Sequence, residues 1–329
     1  MTTRREFIKM SGAAAAGGLA VPAGLQQLFA RGPHPIGLQL FTLFTFIDKD
    51  VPGNLKKVAD IGYKEIESAF SMKGGYYGMK PKEFAALVSS LGMTWVSHHV
   101  LGAPFKMPAN AKPMVDTSGK PIQFPPMRNL TENRQELVDE AAEGGIKYLV
   151  CANIPTKTMD DVKSSIETLN RTGEACKKAG ITLAYHNHTE EFAAIGAKPE
   201  TPGDTTMRVT APVTPPGAGE KTPYELFLTE LTPDIKMELD LCWATKAGVD
   251  PVQLFKDHPG RFPLWHAKDL DKDRKGPAPV GTGVVEFARI FKSAKTAGMR
   301  HVFVEHDFPP DAFASITTSY NNLMKIMTA

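Results

Sequence analysis

The chain has 329 residues and 35.8 kDa, with 42% hydrophobic and 22% charged residues, which is enough for two ordinary domains or one large barrel. Its 38 basic and 36 acidic residues leave a formal net charge of +2, which argues against nucleic acid or an anionic membrane as the main partner. The three cysteines, Cys151, Cys176 and Cys242, are too scattered for a disulfide framework or a zinc ribbon, and we expect them to be buried or reduced.

The first thirty residues have the pattern of an export signal. Twin arginines lie in the segment Thr3–Lys9, and a weakly apolar stretch rich in Ala and Gly follows over Met10–Gly24. The alternative is a frayed amphipathic terminus that happens to hold two arginines. We predict a twin-arginine signal peptide over residues 1–30, cleaved after Ala23 or Ala30, a mature domain over 31–329, and a periplasmic or secreted protein. The twin-arginine export route carries already folded proteins, often ones that hold a metal or cofactor, so the signal also indicates a cofactor.

The rest of the chain alternates short β-rich runs with segments of helical period. The predicted strands are, in chain order, Ile36–Phe41, Lys64–Glu67, Thr94–Val100, Lys147–Cys151, Ile181–His186, Lys236–Asp240, Phe262–Ala267 and His301–Glu305. The stretches between them include two predicted helices, Asp161–Ala179 and Val285–Ala297. Such alternation implies a parallel sheet. Eight units without a Gly-rich dinucleotide turn after the first strand favour an α/β fold of the (β/α)8 TIM barrel type over a doubly wound sheet.

Two predicted connections are much longer than the usual ~2 to 6 residues. Leu101–Leu130 follows the third strand and Thr189–Pro223 follows the fifth, and both are rich in proline. Both loops follow a strand, so in a barrel both leave the C-terminal face, where active sites lie. We expect them to cover a substrate pocket there; disordered filler is the alternative.

Polar side chains recur at the C-terminal ends of the last four predicted strands. In chain order, these side chains are His186, Asp240, His266 and Glu305. Any one of them could be a hydrogen-bonded structural residue or a helix cap, but coincidence on four successive strands favours a site. Two imidazoles and two carboxylates suit one divalent Mn, Co, Zn or Ni ion, and we predict that these four residues bind it.

Motifs that carry a family resemblance run in order through nearly the whole mature chain. They are Gly37–Thr42, Ile61–Glu67, Tyr185–His188, Glu238–Trp243, His266–Asp269, Gly281–Gly283 and Val304–Glu305. In these motifs the chain resembles the sugar phosphate isomerase/epimerase family, the xylose isomerase-like TIM barrels that also include endonuclease-IV-type enzymes.

The resemblance implies metal ligands from strands five to eight, which in the family's ketose epimerases are Glu, Asp, His and Glu. Asp240, His266 and Glu305 match the last three positions, whereas His186 stands in place of the first Glu. Because that Glu is one of the two acid/base groups, its replacement argues against simple epimerisation. The Tyr-His-x-His pattern is more similar to the branch that contains inosose dehydratase and enzymes acting on 3-keto-glycosides.

Three residues are predicted to take part in catalysis. His188 lies two residues after His186 and would point to the same side of an extended strand, where it could act as a general base or bind a hydroxyl. Lys268 could stabilise an oxyanion; a salt bridge with Asp269 is the alternative. Glu305 keeps a carboxylate beside the predicted metal.

Four further residues are predicted to contact substrate. His99 and Glu67 would bind hydroxyls or merely hold loops, and Gln39 is a further candidate. Trp243 would offer a flat wall to a sugar ring, or pack in the core.

We therefore expect an exported, metal-dependent enzyme that removes a proton next to the carbonyl of a carbohydrate, with elimination from a keto-sugar slightly favoured over isomerisation or epimerisation. Phosphodiester cleavage would need further metals and a basic groove, which the charge disfavours. A non-catalytic sugar-binding barrel is the remaining alternative. The expected partner is a small carbohydrate, with no nucleic acid, no membrane contact beyond export, and possible homo-oligomers.

Overall fold

Strands of four to eight residues form the barrel in this computed structural model, which describes residues 34–105, 125, 127–196, 216–217 and 219–328. The barrel strands are β1 Ile36–Gln39, β2 Glu65–Ser68, β3 Thr94–Leu101, β4 Tyr148–Asn153, β5 Thr182–His186, β6 Lys236–Asp240, β7 Leu264–Ala267 and β8 His301–Val304. Every neighbouring pair is parallel, and within the described ranges the sheet closes in the order β1-β8-β7-β6-β5-β4-β3-β2. The predicted (β/α)8 TIM barrel is confirmed.

Helices lie between the strands. Their bounds are α1 Val51–Ile61, α2 Pro81–Ser90, α3 Arg134–Gly144, α4 Met159–Lys178, α5 Pro223–Glu230, α6 Leu241–Lys246, α7 Pro251–Asp257, α8 Phe287–Phe291, α9 Ala294–Ala297 and α10 Ala312–Thr328. A further pair of short antiparallel strands, Asp269–Leu270 and Pro277–Ala278, follows β7.

Local sequence explains where two of the helices begin. Thr158 and Asp161 form a reciprocal capping box at the start of α4. Asp250 accepts a hydrogen bond from the Val252 N–H at 3.0 Å, as expected for the cap of α7. The helix predicted over Val285–Ala297 is wrong in extent, because the structure breaks it into α8 and α9.

The inside of the barrel has an apolar layer that is separate from the larger core between sheet and helices. It consists of the buried residues Val96, Val150, Ala184, Leu264 and Phe303. Successive side chains on a strand point to opposite faces, so residues two positions further along also point inward. Two positions after Ala184, Leu264 and Phe303 lie His186, His266 and Glu305, in that order. The interior therefore changes from apolar to polar at the C-terminal ends of the strands.

Several predictions fall on residues that the structure does not describe. The predicted signal peptide lies wholly outside the described residues, and so does most of both long loops, over 106–124 and 197–215. Export and the placement of these loops therefore remain predictions. Among the described residues, no helix is long and apolar enough to cross a bilayer.

Candidate active site

The four predicted metal ligands lie together at the C-terminal end of the barrel. Each offers one ligand atom, and these atoms all lie within 4.8 Å of one another. Nδ1 of His266 is 2.8 Å from Oε2 of Glu305 and 3.8 Å from Oδ2 of Asp240. Nε2 of His186 is 3.6 Å from the same Asp240 oxygen, which is too long for a hydrogen bond. Their positions on the consecutive strands β5 to β8 produce this cluster, because β5 to β8 are neighbours in the barrel.

The polar atoms of this cluster are suited to a divalent metal ion. Both ring nitrogens of His186 are buried and have no hydrogen-bond partner among the described residues, whereas Oδ2 of Asp240 is paired with the ammonium of Lys268. Buried polar atoms are rarely left without a partner, so each such atom needs an explanation. Neutral imidazole nitrogens and carboxylate oxygens are the donors that Zn and related ions take. The residues present therefore fit such an ion.

Burial and neighbouring charges set the protonation of the ligands. Burial, and next the charge of His266, lower the pKa of His186 to about 4, so its imidazole is neutral near pH 7. Burial alone would raise the pKa of Glu305, but Lys268 and His266 hold it well below the ordinary value. A neutral imidazole and an ionised carboxylate are the forms that bind a metal.

Lys268 lies among the carboxylates of the site. Its fully buried Nζ is 3.0 Å from Oδ2 of Asp240, 2.6 Å from Oε2 of Glu305 and 2.8 Å from Oδ2 of Asp307. Burial alone would lower the pKa of His266, but Glu238 and Glu305 raise it well above the ordinary value. Once His266 has lost that proton, as metal binding requires, three carboxylates and one ammonium leave two negative charges, which a divalent cation would balance. Asp307 has no role in the sequence-based prediction, although its two-residue spacing from Glu305 places it on the same side of the chain.

The alternative salt bridge between Lys268 and Asp269 is wrong. Asp269 instead accepts four backbone hydrogen bonds of 2.9 to 3.0 Å from the N–H groups of Leu270, Gly281, Gly283 and Val285. Its carboxylate therefore holds the loop that follows the short strand pair.

A second cluster of ionisable side chains surrounds the other face of His266. Glu67, His99, Glu238 and His266 also offer ligand atoms within 4.8 Å of one another. Nε2 of His266 is 2.6 Å from Oε1 of Glu67, and Nε2 of His99 is 2.6 Å from Oε2 of Glu238. Burial alone would lower the pKa of His99, but the charges of Glu67 and Glu238 outweigh it and raise this pKa to about 9.

Two predicted substrate contacts, Glu67 of this second cluster and Gln39 beside it, are hydrogen-bonded to each other. Gln39 and Glu67 are fully buried, and Nε2 of Gln39 donates to Oε1 of Glu67 at 2.8 Å. These contacts give both side chains protein partners and argue against direct contact with substrate. Sequence reasoning gave no role to Glu238, although its position two residues before Asp240 puts it on the same inward face of β6.

His188 lies beside the metal cluster, as its spacing from His186 predicts. The two rings are 4.9 Å apart between centroids, and His188 is half-buried. Burial first, and then the charges of His186 and Lys268, hold its pKa well below the ordinary value, so the ring is neutral near pH 7. Glu191, which the sequence-based prediction does not include, accepts a hydrogen bond from the backbone N–H of His188 at 2.9 Å.

Trp243 and His99 are both nearly buried. Trp243 is 4% exposed, and its ring lies 4.9 Å from Nζ of Lys268. The ring is thus packed beneath the ammonium. The side chain of His99 is 9% exposed, and a contact between His99 and substrate remains a prediction.

Comparisons with solved structures agree with this fold. A sugar phosphate isomerase/epimerase from Parabacteroides distasonis ATCC 8503 is 26% identical, with a TM-score of 0.67 over 90% of this chain and 95% of its own. An L-ribulose 3-epimerase shares the fold at 14% identity and a TM-score of 0.61, over 90% of this chain and 95% of its own. The IolI protein, solved with a zinc atom, also shares the fold, at 14% identity and a TM-score of 0.61 over 89% of this chain and 98% of its own. No curated protein matches the sequence.

A protein-family model described as xylose isomerase-like TIM barrel matches residues 55–317, which is most of the chain. The match takes in strands β2 to β8 and all four predicted metal ligands. The chain belongs to the xylose isomerase-like TIM barrel family.

Proposed function

We propose that the protein is a metal-dependent enzyme that acts on a carbohydrate by removing a proton next to its carbonyl group. One observation carries this proposal: His186, Asp240, His266 and Glu305 converge at the C-terminal end of the barrel, where both buried ring nitrogens of His186 lack a hydrogen-bond partner among the described residues. The names of similar structures, a sugar phosphate isomerase/epimerase and a ribulose epimerase, support a sugar as substrate. The twin arginines of the N-terminal segment support export to the periplasm or the medium.

These four residues would hold one divalent ion, of Mn, Co, Zn or Ni. Bound there, the ion supplies a Lewis acid that polarises a carbonyl and an adjacent hydroxyl. The zinc atom named for the similar IolI structure supports a divalent metal of this class. With His266 neutral as a ligand, the carboxylates and Lys268 leave two negative charges at the site, which such an ion would balance.

The chain's own residues supply proton transfer and charge. His188 is neutral and half-buried beside the ligand His186, so one of its ring nitrogens can take the proton from the substrate carbon. The buried ammonium of Lys268 would add positive charge near an oxyanion on the substrate, and it keeps Glu305 an ionised carboxylate beside it.

We favour β-elimination from a keto-sugar over epimerisation. A two-base epimerase needs a group on each face of the substrate carbon, and His186 replaces the strand-five Glu that would be one of them. One base suits elimination: His188 takes the proton, the C–H electron pair becomes the new C=C bond, and the β-substituent leaves with its bonding pair and gains a proton. Ketose or aldose-ketose isomerisation or epimerisation is the second candidate, supported by the names of the similar structures.

Incubation in D2O distinguishes the two reactions. The metal-loaded enzyme is mixed with simple ketohexoses and, separately, with 3-keto-glycosides, and products are followed by NMR and mass spectrometry. Elimination predicts no reaction with ketohexoses and release of water or an aglycone from the 3-keto-sugars. Deuterium incorporation at C3, with matching conversion to the C3 epimer, would defeat the elimination proposal. His188→Gln should abolish whichever reaction is seen while leaving metal content unchanged.

A further inference from the structure

We propose that Glu67 is a positioning residue for the metal centre, which fixes His266 so that Nδ1 is the nitrogen offered to the metal ion. This inference rests on the proposed function, because it assumes that His186, Asp240, His266 and Glu305 bind the ion. It assigns to the second cluster a task in metal binding rather than in substrate binding.

The two ring nitrogens of His266 face different groups. Nδ1 faces the proposed ligands, 2.8 Å from Glu305 and 3.8 Å from Asp240. Nε2 faces the second cluster, 2.6 Å from Oε1 of Glu67 and 3.3 Å from Oε2 of Glu238. A neutral imidazole carries one N–H and one lone pair, and a metal takes the lone pair. If Nε2 donates its hydrogen to Glu67, the lone pair lies on Nδ1, on the side of the other ligands.

Glu67 is better fixed than Glu238 for this task. Its Oε1 also accepts a hydrogen bond from Nε2 of Gln39 at 2.8 Å, and its Oε2 accepts one from Oγ of Ser97 at 2.6 Å. Both oxygens of Glu67 are thus held in place, and the side chain is 0% exposed. Glu238 lies further from His266, and its Oε1 has no hydrogen-bond partner among the described residues. Carboxylates that accept from a metal-bound histidine orient its ring and raise its basicity.

A second metal ion in this cluster is the alternative, since Glu67, His99, Glu238 and His266 meet the same distance criterion. Two ions would require lone pairs on both nitrogens of His266, which a neutral ring does not have. Two hydrogens account for the cluster instead: His266 donates to Glu67 at 2.6 Å and His99 donates to Glu238 at 2.6 Å. The contacts therefore favour one ion per chain.

Metal titration of the stripped full-length protein tests the inference. Zn²⁺ binding is measured by calorimetry, and Co²⁺ binding by its visible absorption spectrum, which reports the ligand geometry. Glu67→Gln keeps the shape but removes the charge, and it should weaken binding about 10- to 100-fold and alter the Co²⁺ spectrum. Thermal unfolding of each variant shows whether the barrel is intact.

Glu65→Gln is the matched control. Glu65 lies two residues earlier on β2, is buried, and pairs with Nδ1 of His301 at 2.9 Å through both oxygens. The control removes a similar buried charge from a histidine that is not a proposed ligand, and it should leave affinity unchanged. Should Glu67→Gln fail to fold, Ser97→Ala, which removes one anchor of Glu67, should still lower affinity relative to the wild type.

The possible results separate this inference from the proposed function. Wild-type affinity and spectrum in Glu67→Gln would overturn the positioning role and leave the metal centre intact. A stoichiometry of two ions in the wild type, falling to one in Glu67→Gln, would also overturn it in favour of a second site. A wild-type protein that binds no ion would overturn the proposed metal centre and this inference with it.

Discussion

Adjacent histidines on β3 show how the face of a strand decides the chemistry of a side chain. His99 points into the barrel between Glu67 and Glu238, and these charges raise its pKa to about 9. His98 points the other way, where Nδ1 lies 2.8 Å from Oγ of Ser68 and the ring packs on Tyr76. Burial, and next the charge of His99, lower the pKa of His98 to about 3. One imidazole is held charged and its neighbour neutral.

We expect His98 to make the protein sensitive to acid. Its folded-state pKa of about 3 lies below the ordinary 6.5, so only the unfolded chain gains its proton between these values. The stability that His98 contributes is present above pH ~6.5 and is lost as the pH falls toward ~3. Urea unfolding between about pH 4 and 7 should show a shallower loss of unfolding free energy in His98→Gln than in the wild type. Identical slopes would show that His98 is not a source of acid sensitivity.

The convergence of the four proposed metal ligands could be predicted from sequence because each is an inward-facing residue at a strand end. That reasoning found His186, Asp240, His266 and Glu305 but gave no role to Glu238 or Asp307, which repeat the same spacing. It also took Glu67 for a substrate contact. The hydrogen bond between Glu67 and His266 joins residues 199 positions apart, and only the closed barrel shows that their side chains meet.

Among the connecting elements, the loop after β7 depends on one carboxylate. Asp269 is 1% exposed, and its two oxygens accept four backbone hydrogen bonds, two of them from Gly281 and Gly283. Gly283 is needed because a Cβ there would lie 1.9 Å from the carbonyl oxygen of Leu270. The loop therefore has one close-packed conformation, which starts directly after Lys268.

Asp269→Asn should loosen this loop. An amide has one acceptor oxygen in place of two, so at least one buried N–H loses its partner, at a cost of about 1–3 kcal/mol in unfolding free energy. Urea unfolding measures the loss, and hydrogen exchange should be faster at the Gly281 and Gly283 amides. Asp273→Asn, at an exposed position of the same segment, is the control and should change neither the unfolding free energy nor the exchange of these amides. Unchanged exchange in Asp269→Asn would contradict this account of the loop.

The whole fold could be predicted from alternating strand and helix patterns, with strand ends within two residues of their observed positions. The interruption of a helix could not be predicted in the same way. The apolar period over Val285–Ala297 continues through the break between α8 and α9, since Ile290 and Ala297 are both buried although they belong to different helices. Periodicity reports which side chains face the core, and it does not report whether the backbone between them stays helical.

We propose that the barrel holds one divalent ion at its C-terminal end, and the metal content of the purified protein tests this proposal. Wild-type protein and Asp240→Ala are stripped, exposed to equal Mn, Co, Zn and Ni, desalted and measured by mass spectrometry of the elements. Oδ1 of Asp240 caps α6 through the Trp243 N–H at 2.9 Å, so the variant should lose about 0.5–2 kcal/mol of stability but keep its barrel. Asp240→Asn retains a capping oxygen but loses the carboxylate charge, so it separates the loss of the helix cap from the loss of the proposed metal ligand. We expect one ion per wild-type chain and none in either variant, with unchanged far-UV circular dichroism. A wild-type chain without metal, or variants that retain one metal ion per chain, would overturn the proposal of a metal centre at this end of the barrel.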